Sequence, residues 1–122
     1  MIRLLELCDT FHLPIVCFVH EPGSMMGFDP EQRGIIRAGA RLVQAIRQTR
    51  MPWISFVVRQ VHDVATSLAF RASGMCARYA WPSASWSSTD AEAGIALSFR
   101  TAEASGIQGI IDPRDTRPLL CG

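Results

Sequence analysis

The sequence predicts an α/β fold built round a largely parallel sheet, and three observations carry that prediction. Short runs rich in β-branched and aromatic residues recur along the chain: IVCFV (15–19), WISFVV (53–58), ARYAWP (77–82) and IQGII (107–111). Stretches with helical spacing separate them, and strand–helix alternation of this kind favours parallel pairing. The runs are also apolar throughout rather than alternating, as in strands covered on both faces.

The elements follow in order. Residues 2–11, IRLLELCDTF, set Leu4, Leu5, Cys8 and Phe11 at helical spacing. Leu13-Pro14 ends that helix, because the residue before a proline avoids the helical region. IVCFV then reads as a buried strand. From Pro30 to Thr49 the pattern is helical again, with Ile35, Ile36, Ala40, Leu42, Val43 and Ile46 as the apolar set. Arg33, Arg37, Arg41 and Arg47 lie at the polar positions. Asp29 before Pro30 reads as an N-cap followed by proline at the first helical position. Pro52 stops this helix, and WISFVV is a second buried strand. Residues 60–71 read as a helix capped by Asp63, which leaves His62 an ordinary surface histidine. ARYAWP is a third strand ended by proline, Thr89-Asp90 caps a helix over 91–105, and IQGII is a last strand before Asp112-Pro113.

A single domain spanning 1–122 is the expectation for this length. With 48% hydrophobic and 19% charged residues the chain is globular rather than disordered. A net charge of +1 offers no basic stripe for nucleic acid or an anionic membrane. All 12 basic residues are arginine, which removes lysine as a Schiff-base nucleophile or general base. Cys8, Cys17, Cys76 and Cys121 form no CxxC pair and read as free thiols of a reducing compartment. Cys8 and His12 have a metal-binding spacing for a helix but lack a matching second pair, so no metal is expected. No stretch reaches the roughly 18 apolar residues of a membrane span, and no basic-then-apolar leader opens the chain. A cytoplasmic location is the expectation.

Reactive side chains are scarce. The chain has no G-x-S-x-G elbow, GxxxxGK[ST] loop, G-x-G-x-x-G or HExxH motif. His20 and Glu21 stand at a strand end, a favoured place for function in α/β sheets, although a polar strand terminus explains them equally. The backbone is the stronger candidate. The loops after IVCFV and WISFVV both lead toward predicted helix starts, where amides are unpaired and the helix dipole is positive. Two such loops side by side can form an oxyanion hole, and glycines at 23 and 27 let backbone approach a ligand closely. A plain turn is the competing reading.

Longer segments carry a family likeness. CDTFHLPIVCFVHEPGSMMG, RGIIRAGARLVQAI, MPWISFVVRQV, SGMCARYAWPSASW and IDPRDTRPLL occur in this order. In that order they resemble the C-terminal half of the carboxyltransferase (β) subunit of biotin-dependent acyl-CoA carboxylases, the propionyl-CoA and acetyl-CoA carboxylase family. The resemblance spans nearly the whole chain. It implies a crotonase/ClpP-like ββα superhelix, here a partial domain with a mostly parallel sheet. It also implies carboxyl transfer from carboxybiotin, borne on a separate carrier protein, to the α-carbon of an acyl-CoA. This half would be the biotin side, with backbone amides holding the ureido oxygen. By the resemblance, Gly23, Ser24 and Gly27 belong to the first biotin-binding loop. Val64 and Ala65 fall on the amide-donating positions of the second, and Ser67 on a position linked to acyl-chain preference.

The chain also departs from the family pattern. Asp63 stands where the family has glycine, setting a carboxylate beside a site meant for developing negative charge. Thr66 replaces a residue that is commonly alanine, glycine or tyrosine. A helical excursion usual between EAGIALS and FRTAEASG is missing, as are the acyl-CoA half and the start of the biotin half. The resemblance therefore implies an incomplete carboxyltransferase. Its expected partners are a biotin carboxylase or carrier subunit and an acyl-CoA-binding carboxyltransferase half, in a homo- or hetero-oligomer. The alternative is a non-catalytic remnant or assembly module that pairs with carboxylase subunits through bare apolar surface. A stand-alone crotonase-type hydrolase or hydratase is the weakest reading, since no carboxylate pair is placed for acid–base work.

Overall fold

The computed structural model describes residues 1–23, 25, 27–62, 74–87, 96–97 and 106–122. Helix α1 (Ile2–Phe11) ends on His12, which adopts a left-handed conformation and donates its amide to the Cys8 carbonyl. Pro14 then releases the chain into β1 (Ile15–Glu21). Helices α2 (Phe28–Gln32) and α3 (Ile35–Gln48) follow, and β2 spans Trp53–His62. The described remainder comprises β3 (Cys76–Ala80), β4 (Ser85–Ser87), β5 (Ala96–Leu97), β6 (Gly109–Ile110), a 3-10 turn (Pro113–Asp115) and α4 (Thr116–Cys121).

The sheet runs in the order β5-β4-β2-β3-β6, with β1 also paired to β2. Described pairings are parallel except that of β4 with β5. β1 and β2 are in register from Ile15↔Trp53 to Val19↔Val57, then shift so that Glu21 faces Val61. One face of the two strands builds both cores, as period-two alternation requires. Ile15 and Trp53 join Leu5, Cys8 and Ile46, where α1 and α3 lie on the sheet. Val19, Val57 and Val61 join Ala80 and Ala84 toward the carboxyl ends of the strands. Two polar ties brace the first core. Thr49 Oγ1 donates to Asp9 at 2.6 Å, and the buried Trp53 indole N–H donates to Ser55 Oγ at 2.7 Å.

Several expectations need correction. β1 is not covered on both faces: Val16 and Phe18 are 44% and 56% exposed. Phe18 does stack on Phe56, which stacks in turn on Tyr79, with ring centroids 5.4 and 5.7 Å apart. Leu4 and Phe11 of α1, and Ile36 and Ala40 of α3, point to solvent, leaving Leu5, Cys8 and Ile46 as the packed stripe. The helix expected over 30–49 is broken at Gly34, whose φ of 77° and ψ of 34° lie in the left-handed region. Asp29 is not the cap. Gly27 occupies that position with φ 126° and ψ 172°, a region open only to glycine, so the helix starts one residue before Asp29. Pro30 still falls in the first turn, where its missing N–H costs nothing.

Residues 60–62 are strand, not the start of a helix, and Ala96–Leu97 are strand within the helix expected over 91–105. In both places ladder partners override local propensity: Gln60, Val61 and His62 align with Ser85, Trp86 and Ser87, and β5 pairs with β4. The rest of those two expected helices lies outside the described residues.

Candidate functional site

Parallel pairing brings the carboxyl ends of β1 and β2 to the same end of the sheet. β1 gives way to Pro22 and Gly23, and β2 ends at His62. Gly23 has φ +120°, and a Cβ added there would lie 3.7 Å from the His62 Cβ. Gly23 and the end of β2 are therefore neighbours. The loop after β1 continues through Gly27 into α2.

His62, read from the sequence as an ordinary surface histidine, is instead buried. It is 7% exposed, and neither Nδ1 nor Nε2 has a hydrogen-bond partner. The other buried polar side chains among the described residues are all paired. Thr49 bonds Asp9, Ser55 bonds Trp53, and Thr116 Oγ1 accepts the Trp81 indole N–H at 3.1 Å. A buried imidazole lacking both partners is costly unless something else satisfies it. The available signal was Val61, which repeats the apolar period of Val57 and carries the strand past the polar pair Arg59-Gln60.

His20 and Glu21 behave as a polar strand end. Both are exposed, and His20 Nδ1 accepts the Gln60 amide at 3.3 Å, which assigns the ring proton to Nε2. That bond bridges the register shift between β1 and β2. Nearby, the YAWP and IDPRDTR segments brace the same edge. The Trp81 amide donates to Val57 O, Ser83 Oγ donates to Val58 O at 2.7 Å, and Trp81 reaches Thr116. Asp112 receives the Arg114 backbone amide at 2.8 Å and the Arg114 guanidinium at 3.0 and 2.8 Å. The guanidinium first, and then the amide, hold the Asp112 carboxyl below the usual carboxylate range. Burial pushes the Cys17 thiol up. None of Cys8, Cys17, Cys76 and Cys121 is in a disulfide.

Of the predicted site residues, Gly23 and Gly27 are described and belong to one loop. Ser24, Asp63, Val64, Ala65, Thr66 and Ser67 lie outside the described residues, as does most of the stretch that joins EAGIALS to FRTAEASG. Among the described residues no group of three or more potential metal ligands comes together. The position opposite His62 carries no side chain, and the imidazole there is unsatisfied. Together they fit a group that presents a hydrogen-bonding oxygen.

Comparison with known proteins gives a consistent result. The family model described as a carboxyl transferase domain matches residues 1–117. The propionyl-CoA carboxylase beta chain of Rhodococcus erythropolis is 31% identical over 119 residues, covering 97% of this chain and 24% of that one. The human mitochondrial propionyl-CoA carboxylase beta chain is 30% identical over 142 aligned residues, covering 98% of this chain and 26% of its own. That alignment is longer than the 122 residues present here, so the human chain carries residues this one lacks. A crystal structure of the transcarboxylase 12S subunit, a hexamer with hydrolysed methylmalonyl-coenzyme A bound, superposes with a TM-score of 0.88 at 29% identity. It is covered over 98% of this chain and 27% of its own. The chain thus spans about a quarter of the length of these relatives.

Proposed function

The chain belongs to the carboxyl transferase domain family and shares its crotonase-like α/β architecture; on that premise we propose that it supplies the biotin side of a carboxyl-transfer site. The observation that supports this reading most is the meeting of the loop after β1 with the end of β2, where Gly23 lies against an unsatisfied, buried His62. In the proposal, residues 1–122 act as a single partial domain in the cytoplasm. Among the described residues no helix is long and apolar enough to cross a membrane.

When bound, carboxybiotin supplies the carboxyl group that is transferred to an acyl-CoA. The work of this chain is to bind and orient. Amides near Gly23 and Ser24 on one loop, and of Val64 and Ala65 on the other, donate to the ureido oxygen. They stabilise the charge that gathers there, a contribution of several kcal/mol in a water-poor site. Gly27 fixes the direction in which the first loop enters α2. Ser67 contributes to acyl-chain selection, and Asp63 weakens the hole by its charge.

The acyl-CoA side lies outside residues 1–122, and the carboxybiotin comes from a carrier or biotin carboxylase subunit. The bare apolar groups support an oligomer. Val16 and Phe18 on β1, with Leu4, Leu7 and Phe11 on α1, are all exposed. The same surface favours the second reading, an assembly module that docks on carboxylase subunits without chemistry.

Size-exclusion chromatography with light scattering separates association from its absence. The chain is mixed with an acyl-CoA-binding carboxyltransferase half, with and without biotin. A defined complex is expected. An indifferent monomer in both conditions would overturn the pairing.

A further inference from the structure

His62 is the unusual residue of the described structure: buried, polar, and without a partner at either ring nitrogen. Its strand neighbours do not explain it. His20, one strand away, has its Nδ1 committed to the Gln60 amide, and Ser55, Thr49 and Thr116 all have partners. A neutral imidazole carries one N–H donor and one acceptor nitrogen, and burial has removed the water that would serve both. Beside it runs the backbone of Gly23, at φ +120°, where a Cβ would lie 3.7 Å from the His62 Cβ.

We propose that the His62 imidazole is a ligand-binding side chain that donates its ring N–H to the carbonyl oxygen of a cyclic urea lodged between the β1 loop and the end of β2. The inference rests on the biotin-side reading given above and adds a side-chain donor to a site otherwise made of backbone amides. It also gives the site a group whose loss is specific, since the slightly larger phenylalanine keeps an aromatic ring there without the N–H. The step is binding only: no bond is made or broken at His62.

The test uses the whole chain, isotopically labelled, with biotin methyl ester and 2-imidazolidinone as probes. Long-range proton–nitrogen spectra follow the His62 ring, assigned by its loss in His62→Phe, and backbone spectra follow the Gly23 amide. The expected result is that both move together along one binding curve. Affinity falls about tenfold in His62→Phe, as loss of one hydrogen bond in a dry site implies, and returns to within about threefold in His62→Gln, which keeps an N–H donor. If the Gly23 amide responds while the His62 ring does not, and His62→Phe binds equally well, the side-chain role is wrong and the biotin-side reading survives. If neither responds in the unsubstituted chain, both are wrong. Should a variant fail to fold, the ring titration of the unsubstituted chain decides by itself.

Discussion

Replacing His62 by phenylalanine should make the free chain more stable while it weakens the site. The imidazole is 7% exposed, and both nitrogens lack partners. An unsatisfied buried polar group costs about 1–3 kcal/mol, and that penalty disappears with the nitrogens. Phenylalanine is slightly larger than histidine, and crowding beside Gly23 returns part of the gain, since overpacking costs about 1 kcal/mol or more. The net expectation is about 1–2 kcal/mol of added stability. For a domain near this length that is a rise in Tm of about 3–8 °C. In urea, with a slope of about 1–2 kcal/mol/M, the midpoint should move up by about 1 M. Equilibrium unfolding followed by tryptophan fluorescence and by circular dichroism measures it directly. A loss of 1 kcal/mol or more would refute the reasoning, because it would mean that the imidazole is satisfied in the folded chain and does not wait for a ligand. Stability gained and binding lost by one substitution is the behaviour of a residue kept for function rather than folding.

Other predictions follow from single observations. Gly27→Ala should destabilise the chain by about 1–3 kcal/mol in urea unfolding, since φ 126° with ψ 172° is closed to alanine. The Asp112 carboxyl is held low by Arg114, so its contribution to stability is fully present above the ordinary carboxylate range and fades as pH falls through the lowered folded value. Carbon-detected NMR titration should show Arg114→Met returning Asp112 toward the normal range. Thiol labelling at pH 8 should modify exposed Cys121 first and Cys17 slowly, because burial keeps the Cys17 thiol protonated. Asp63→Gly should tighten binding of the biotin ester by about threefold to tenfold, the effect of removing one nearby negative charge; unchanged affinity would remove the second loop from the site.

Much of this fold was legible because apolar, β-branched runs and prolines mark its main elements. Ile15–Val19 and Trp53–Val58 are strands as read, the strand read over 77–82 runs only to Ala80, and Pro14 and Pro52 sit at the stops. The misread strands share a cause: tertiary pairing overrode local pattern. Arg59-Gln60 looks like the end of a strand, yet β4 supplies a ladder for Gln60, Val61 and His62. Ser85–Ser87 has no strand signature of its own beyond Trp86, and it exists because β2 extends to meet it. The helical period of RGIIRAGARLVQAI runs smoothly over Gly34, so the break there shows only in its backbone angles. At the site, glycines announced the first loop through their rarity between apolar runs. His62 was hidden because its burial depends on strands distant in sequence. Which surfaces stay open was equally illegible, since Val16 and Phe18 have the sequence of a covered strand and the exposure of an edge.

The most direct test of the account is carboxyl transfer in a reconstituted mixture. The chain is combined with an acyl-CoA-binding carboxyltransferase half, a carrier bearing labelled carboxybiotin, and propionyl-CoA. The account predicts labelled carboxyacyl-CoA that forms only when this chain is present. A stable complex that leaves the label on the carrier would contradict it and identify the chain as an assembly module.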